Sequence, residues 1–95
     1  MKKKGFKTRS IHEAELKDIL YKGAISPIYL GTVYDYLGDG QMKYPRYFNT
    51  PNQLSLSKKI ASLENCENGL LFGSGIAAIF STILCIFGAE IFLRL

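Results

Sequence analysis

Residues 69–87 read GLLFGSGIAAIFSTILCIF and contain no charged side chain. The apolar run 70–72 predicts a short buried strand. Residues 76–87, which follow the Gly-Ser-Gly turn, predict a helix that ends at Gly88. A helix that is apolar on nearly every face must be buried on all sides. The 95 residues of the chain cannot surround it completely, so either the rest of a larger protein or lipid is expected to cover it.

A second helix is predicted to begin directly before this stretch, at Thr50. Threonine, then proline at the first helical position, then Gln53 three residues after the threonine form a capping box. Downstream, three apolar residues recur at helical spacing and form one stripe, Leu56, Ile60 and Leu63. The pair Asn68-Gly69 is expected to end this helix.

The first half of the chain has a weaker pattern. At most one short helix is predicted there, around residues 13–20. Glycine and proline interrupt residues 24–48, where a long helix is therefore excluded. Six aromatic side chains crowd the same segment: Tyr29, Tyr34, Tyr36, Tyr44, Tyr47 and Phe48. A free loop would leave these rings in water, so the segment is interpreted as an arm that lies against a larger surface.

Positive charge is concentrated at the N-terminus. Residues 1–23 account for the whole net charge of +4, and the remaining residues sum to zero. Such a run is compatible with nucleic acid, an anionic membrane or a solvated tail. The solvated tail is favoured, because no nucleic-acid-binding motif follows and only Phe6 lies among the cations of residues 2–9. No apolar stretch follows the first lysines as a secretory signal requires, which predicts a cytoplasmic protein.

The cysteines and the histidine do not form a recognisable site. Cys66 and Cys85 match no metal or redox spacing, so no metal site is predicted and a reducing compartment is expected. Cys85 lies in an apolar run and is predicted to be a core residue. His12 has no acid or nucleophile near it in the sequence and is interpreted as a structural or exposed histidine.

The order of strand, Gly-Ser-Gly turn and helix suits an anion. The start of a helix offers unpaired backbone N–H groups, and glycine allows a close approach. This signal is weak alone, and the lysine of a P-loop is absent. Arg46, two residues after Tyr44, adds a guanidinium and a phenol that could bind phosphate. Taken alone, an arginine such as Arg46 is more often a surface or ion-paired residue than a phosphate ligand.

Five blocks of sequence resemble, in order and spacing, the pyridoxal-phosphate-dependent enzymes of sulfur amino-acid metabolism. That family comprises cystathionine gamma-synthase, the cystathionine lyases and methionine gamma-lyase. The blocks are residues 6–12 (FKTRSIH), 23–29 (GAISPIY), 44–51 (YPRYFNTP), 60–64 (IASLE) and 69–79 (GLLFGSGIAAI). The third block departs locally from the family, which has Asn-Pro-Thr where this chain has Asn-Thr-Pro.

The resemblance implies an α/β fold of fold type I, of which residues 1–49 would form the arm. Residues 50–95 would be the incomplete start of the large domain, with a helix, a short strand and an apolar helix. It implies pyridoxal phosphate as cofactor, held through the backbone of Gly75 and Ile76. It also implies a homo-oligomer, in which Tyr44 and Arg46 reach the phosphate of the neighbouring subunit. Ile76 replaces the family's methionine, which leaves the backbone donor in place.

The reaction implied is an elimination or replacement on a sulfur-containing amino acid. The Schiff-base lysine of such enzymes lies far downstream of these blocks, so the chain is expected to be a truncated, inactive fragment with no catalytic residue of its own. Synthase and lyase both remain open. Two alternatives remain besides the enzyme fragment: a small membrane protein that spans at residues 69–93, and a non-catalytic interaction module.

Overall fold

The computed structural model describes residues 3–35 and 42–88. It contains three α-helices, α1 (Phe6–His12), α2 (Pro51–Leu63) and α3 (Gly75–Phe87), and a 3₁₀ turn at Pro45–Tyr47. No strand occurs within these described ranges. The described part of the chain therefore does not confirm the expected α/β class.

The predicted strand at residues 70–72 is wrong. A strand needs a neighbouring strand to pair its backbone N–H and C=O groups, and the described residues supply none. Leu70 is 67% exposed rather than buried. The segment instead lies against α2 at Gly69, where a Cβ atom would lie 2.6 Å from the carbonyl oxygen of Ser57.

The predicted helix at residues 13–20 is also wrong, because the helix lies one to two turns earlier, as α1. Ala14 adopts a left-handed backbone conformation with φ 57°, which no helix continues through. Further along, the carboxylate of Asp18 accepts hydrogen bonds from the N–H groups of Tyr21 (2.9 Å) and Gly23 (3.1 Å). These bonds hold a turn in place of a helix.

The start of α2 confirms the capping box. The N–H and the hydroxyl of Thr50 both donate to Oε1 of Gln53, at 3.3 and 2.6 Å. Pro51 occupies the first helical position, where its missing N–H leaves no gap in the hydrogen-bond pattern. The local sequence is therefore sufficient to start this helix.

The end of α2 lies earlier than the predicted Asn68-Gly69. Asn65 turns left-handed with φ 56°. Its N–H donates to the carbonyl of Ser62 at 3.2 Å, and the N–H of Cys66 donates to that of Ala61 at 2.8 Å. This pair of bonds is the Schellman motif, which ends a helix at a left-handed residue.

A polar stripe along α2 attaches the N-terminal arm. Its members recur at helical spacing and are Asn52, Ser55, Lys59 and Ser62. Asn52 accepts from the N–H of Tyr29 at 2.7 Å and donates to the carbonyl of Pro27 at 2.8 Å. Further along, the Ser55 hydroxyl donates to the carbonyl of Ala14 at 2.7 Å. Lys59 pairs with Glu15, and the Ser62 carbonyl accepts from Arg9.

The apolar side chains remain largely uncovered. Ala61 is the only buried apolar residue among those described. Cys85, predicted to lie in a core, is exposed on α3, because no other helix of the described residues packs closely against that helix. The radius of gyration is 17.0 Å, against about 12 Å for a compact domain of this length. The apolar side chains of α3 are therefore exposed to solvent in the described chain, and we expect another surface, of protein or lipid, to cover them, as the sequence predicts.

No helix of the described residues is both long and apolar enough to cross a membrane. The 13 residues of α3 rise by about 20 Å, whereas the hydrocarbon core of a bilayer is about 30 Å thick. The expected span at 69–93 extends past Gly88, beyond the described residues.

Candidate phosphate site

The first turn of α3 presents two free backbone donors. Ser74 is its N-cap, and the Ser74 Oγ accepts from the N–H of Ala77 at 3.2 Å. The carbonyl of Ser74 accepts from the N–H of Ala78, also at 3.2 Å. An α-helix has no internal acceptor for the N–H groups of its first two residues, which here are Gly75 and Ile76. Their N–H groups are therefore available to an anion, and the helix dipole favours one there.

The space around this helix start is open. A Cβ atom built on Gly73 or on Gly75 would meet no heavy atom within 4 Å. The side chain of Ile76 is 77% exposed. It is apolar and therefore accepts no hydrogen bond from the backbone N–H groups. The backbone at both glycines that flank Ser74 is therefore open on the side that a Cβ atom would occupy.

The other two predicted site residues lie on the 3₁₀ turn. Tyr44 is the N-cap of this turn and Arg46 is its middle residue. The ring of Tyr44 packs edge-on against the ring of Tyr47, with centroids 5.5 Å apart and an interplanar angle of 66°. Tyr44 remains 42% exposed, and Arg46 is exposed. Both side chains can therefore reach outward to a ligand.

The described residues do not connect the 3₁₀ turn, which carries Tyr44 and Arg46, to the first turn of α3. No hydrogen bond or ion pair within residues 3–35 and 42–88 connects Tyr44 or Arg46 to Gly75 or Ile76. The four residues nevertheless offer one kind of chemistry, since two backbone N–H groups, a guanidinium and a phenol are all hydrogen-bond donors. This donor set fits the phosphate end of pyridoxal phosphate.

Two residues of the site region were missed at the level of sequence. The side chain of Asn49 binds backbone groups on both sides of Lys43, and Gln53 reaches back to the turn besides capping α2. An amide side chain shortly after a proline-containing turn was the available signal.

Within the described residues, no group of three or more His, Cys, Asp or Glu side chains could hold a metal ion.

Comparison with known proteins assigns the chain to a family. Residues 7–91 match the family described as Cys/Met metabolism PLP-dependent enzyme. Cystathionine gamma-lyase of Saccharomyces cerevisiae is 37% identical over 76 residues, which are 76% of this chain and 19% of that protein. Cystathionine gamma-synthase of Haemophilus influenzae is 43% identical over 60 residues, 60% of this chain and 16% of that protein.

A third relative is the cystathionine gamma-synthase/O-acetylhomoserine (thiol)-lyase of Bacillus subtilis, 45% identical over 69 residues, 68% of this chain and 18% of that protein. The chain thus spans less than a fifth of the length of these relatives. No solved structure matches it. Since the family match covers most of the chain, including all four candidate residues, the chain belongs to the Cys/Met metabolism family of enzymes that depend on pyridoxal phosphate.

Proposed function

We propose that this chain supplies the N-terminal arm and the start of the large domain of a fold-type-I, α/β enzyme. That enzyme would eliminate or replace a group at the β or γ carbon of a sulfur-containing amino acid. The relatives named for cystathionine synthesis and cleavage support this reaction class. The observation that carries the proposal is the pair of uncapped N–H groups at the start of α3, in the family's phosphate-binding block.

In this proposal the backbone N–H groups of Gly75 and Ile76 donate to the cofactor phosphate. Ser74 does not bind the phosphate in this proposal. Its hydroxyl oxygen accepts a hydrogen bond from the N–H of Ala77, which fixes the start of the helix and so the direction of both N–H groups. Pyridoxal phosphate, when bound, supplies the electron sink for bond breaking on the amino acid. The exposed side chain of Ile76 has no part in holding the phosphate.

Tyr44 and Arg46 would serve the phosphate of a neighbouring subunit. Their exposure, and the lack of any bond from them to the start of α3 in the described residues, favour a partner in another chain. A guanidinium can bind two phosphate oxygens at once, and a phenol adds a third donor. The large exposed faces of α3 likewise fit a chain that is covered by further protein.

We expect the 95-residue chain alone to be inactive, because the lysine that attaches the cofactor is proposed to lie outside it. Nucleotide sequence downstream of codon 88, translated in all three frames, tests this point. Continuation of the family in another frame, with a lysine in its place, supports a broken or misread enzyme gene, whereas continuation in the same frame means that the chain is part of a longer enzyme. If no frame continues the family, that origin is rejected.

The phosphate role is tested in a chimera in which the stretch of this chain that aligns with the Bacillus subtilis relative replaces the corresponding segment of that protein. Gly75→Pro removes one backbone donor, whereas proline at the first helical position preserves the helix. Ser74 already has the extended backbone, φ −156° and ψ 159°, that a residue before proline adopts. Gly75→Ala is the matched control, since a Cβ there meets nothing.

The proposal predicts that Gly75→Pro raises the dissociation constant for pyridoxal phosphate by about tenfold or more, the value of one charge-assisted hydrogen bond. Gly75→Ala should change it by less than about twofold. Absorbance titration of the apo-chimera measures both. Equal affinities in the proline and alanine variants would show that this N–H does not bind the phosphate.

A further inference from the structure

The 3₁₀ turn that carries Arg46 is held on its N-terminal side by one asparagine. Oδ1 of Asn49 accepts from the N–H of Tyr44 at 2.8 Å, and Nδ2 of Asn49 donates to the carbonyl of Met42 at 2.7 Å. One amide side chain thus binds a backbone donor and a backbone acceptor two residues apart. This fixes the chain as it enters the turn.

The turn is also attached directly to α2, through Gln53. Nε2 of Gln53 donates to the carbonyl of Pro45 at 3.0 Å, while Oε1 accepts from Thr50. Gln53 lies in the first turn of α2, so its side chain is anchored at one end to a regular helix. The backbone around Arg46 is therefore fixed at two points, one before the turn and one within it.

The side chains that the turn carries are left free by these bonds. Arg46 makes no hydrogen bond or ion pair within the described residues, and Tyr44 contacts Tyr47 by its ring edge only. An ordered backbone with free side chains lowers the cost of binding, because the backbone entropy is already lost before the ligand arrives.

We propose that Asn49 and Gln53 are positioning residues that hold the turn so that Tyr44 and Arg46 are presented to a phosphate group. The identity of the ligand, a phosphate group, rests on the proposed function. The clamp itself, defined as the side-chain bonds of Asn49 and Gln53 to the turn, can be tested separately. Neither amide touches the phosphate in this proposal.

The test uses the full 95-residue chain, labelled with ¹⁵N, and three variants that exchange an amide for a carboxylate. Gln53→Glu keeps the acceptor for Thr50 and loses the donor to Pro45. Asn49→Asp keeps the acceptor for Tyr44 and loses the donor to Met42. The matched control is Asn52→Asp, which loses the corresponding donor to Pro27 and introduces the same charge in the first turn of α2, next to Gln53 and three residues after Asn49.

A fourth variant, Gln53→Asn, retains the amide without adding charge and is one methylene too short to reach Pro45. If far-ultraviolet circular dichroism shows that a charged variant does not fold, Gln53→Asn is the variant that tests the clamp. The first measurement is the ¹H–¹⁵N heteronuclear NOE of Arg46 and Tyr47. The second is the shift of the Arg46 Nε–Hε signal on titration with pyridoxine 5′-phosphate, whose lack of an aldehyde prevents reaction with lysines.

The clamp predicts a lower NOE at Arg46 and Tyr47 in the Asn49 and Gln53 variants, with the NOE unchanged in Asn52→Asp. It also predicts that the dissociation constant read at Arg46 rises about threefold or more, as for one lost neutral hydrogen bond. An unchanged NOE in Asn49→Asp and in both Gln53 variants overturns the inference. If wild-type Arg46 does not respond to the phosphate ester while the NOE falls, the clamp stands and the proposed phosphate role is what fails.

Discussion

The guanidinium of Arg9 donates a hydrogen bond from Nη1 to the carbonyl of Ser62, in the last turn of α2. The same Nη1 donates to Oδ1 of Asn65 at 3.2 Å. Cations near a helix C-terminus are stabilised by its unpaired carbonyls and by its dipole. Arg9→Ala should therefore lower the free energy of unfolding by about 1 kcal/mol, measured by urea unfolding followed by circular dichroism.

The matched control for Arg9 is Lys7→Ala, which removes an exposed cation from the same short helix. It should change stability by less than about 0.5 kcal/mol. Equal losses in the two variants would mean that general charge, and not the contact with α2, is responsible. If Arg9→Lys loses less stability than Arg9→Ala, the difference between the two losses is the part of the free energy of unfolding that a positive charge at this position supplies without the guanidinium.

Glu15 should make stability depend on acidic pH. Hydrogen bonds from Lys59, first, and then from the Ser26 hydroxyl lower the pKa of Glu15 from its ordinary 4.5 to about 2. A carboxyl whose pKa is lower in the folded state stabilises the fold above its unfolded pKa. This contribution is therefore complete above about pH 4.5 and is lost as the pH falls towards 2.

Glu15→Gln should remove that part of the pH dependence, so that its urea midpoint falls less between pH 6 and pH 2.5 than the wild-type midpoint. Replacement of Glu67, an exposed carboxylate, by glutamine is the control and should leave the wild-type profile in place. Parallel profiles for wild type and Glu15→Gln would show that the ion pair with Lys59 does not stabilise the fold.

Phe48 ends the 3₁₀ turn in the left-handed region, with φ 53° and ψ 33°. A residue with a Cβ pays about 1 kcal/mol or more for this conformation, whereas glycine adopts it freely. Both Phe48→Ala and Phe48→Gly remove the ring, so a comparison of the two isolates the backbone. Phe48→Gly should be the more stable by about 1 kcal/mol.

The same pair of substitutions at Tyr47 gives the control, because Tyr47 lies inside the 3₁₀ turn. There alanine should be the more stable variant, since glycine loses more backbone entropy on ordering. Thermal unfolding measures all four proteins. If alanine is preferred at both positions, the turn does not end in the left-handed conformation in solution.

Gly69 is the point at which the segment before α3 approaches α2. A Cβ atom at this position would lie 2.6 Å from the Ser57 carbonyl oxygen, a backbone atom that cannot move alone. Gly69→Ala should therefore cost about 1–3 kcal/mol, the range for overpacked sites. Gly73→Ala, where a Cβ would meet nothing within 4 Å, should cost much less in the same urea titration.

Features coded by neighbouring residues were predictable from the sequence. The start of α2 follows from Thr50 and Gln53, and α3 forms where its apolar run predicts it, with Ser74 as cap. Both depend on bonds that span three residues. Gly75 and Ile76 were named as candidate phosphate donors from the family resemblance, and they lie where α3 begins.

Features that depend on distant partners, or on side chains that bind nearby non-helical backbone, were not predicted in this way. The helix expected at residues 13–20 does not form, and the side chains of Glu15 and Asp18 instead bind non-helical backbone groups. The end of α2 depends on the left-handed backbone of Asn65, whose side chain accepts a hydrogen bond from Arg9, far away in the sequence. A strand at 70–72 would need a partner that the described residues do not contain. The clamp around Arg46 was not predicted, because Asn49 and Gln53 bind backbone atoms of the turn, and an amide side chain shortly after a proline-containing turn is only a weak signal of such bonds.

The proposed division of the phosphate site between two subunits makes a prediction for mixed dimers of the chimera. In one parent, Gly75→Pro removes a donor from the subunit that holds the phosphate. In the other parent, Arg46→Ala removes the group contributed to the neighbour. Each parent dimer has two damaged sites. A mixed dimer has one intact site, in which Gly75 of one subunit meets Arg46 of the other.

Unfolding and refolding the two variants together in equal amounts should therefore restore about a quarter of the wild-type activity, because half of the dimers are mixed and each has one working site. The two variants refolded separately and then combined provide the baseline. If Arg46 instead acted on the phosphate of its own subunit, every subunit in every dimer would stay damaged. Co-refolding would then restore nothing above that baseline, and the contribution of the arm to a neighbouring subunit would be ruled out.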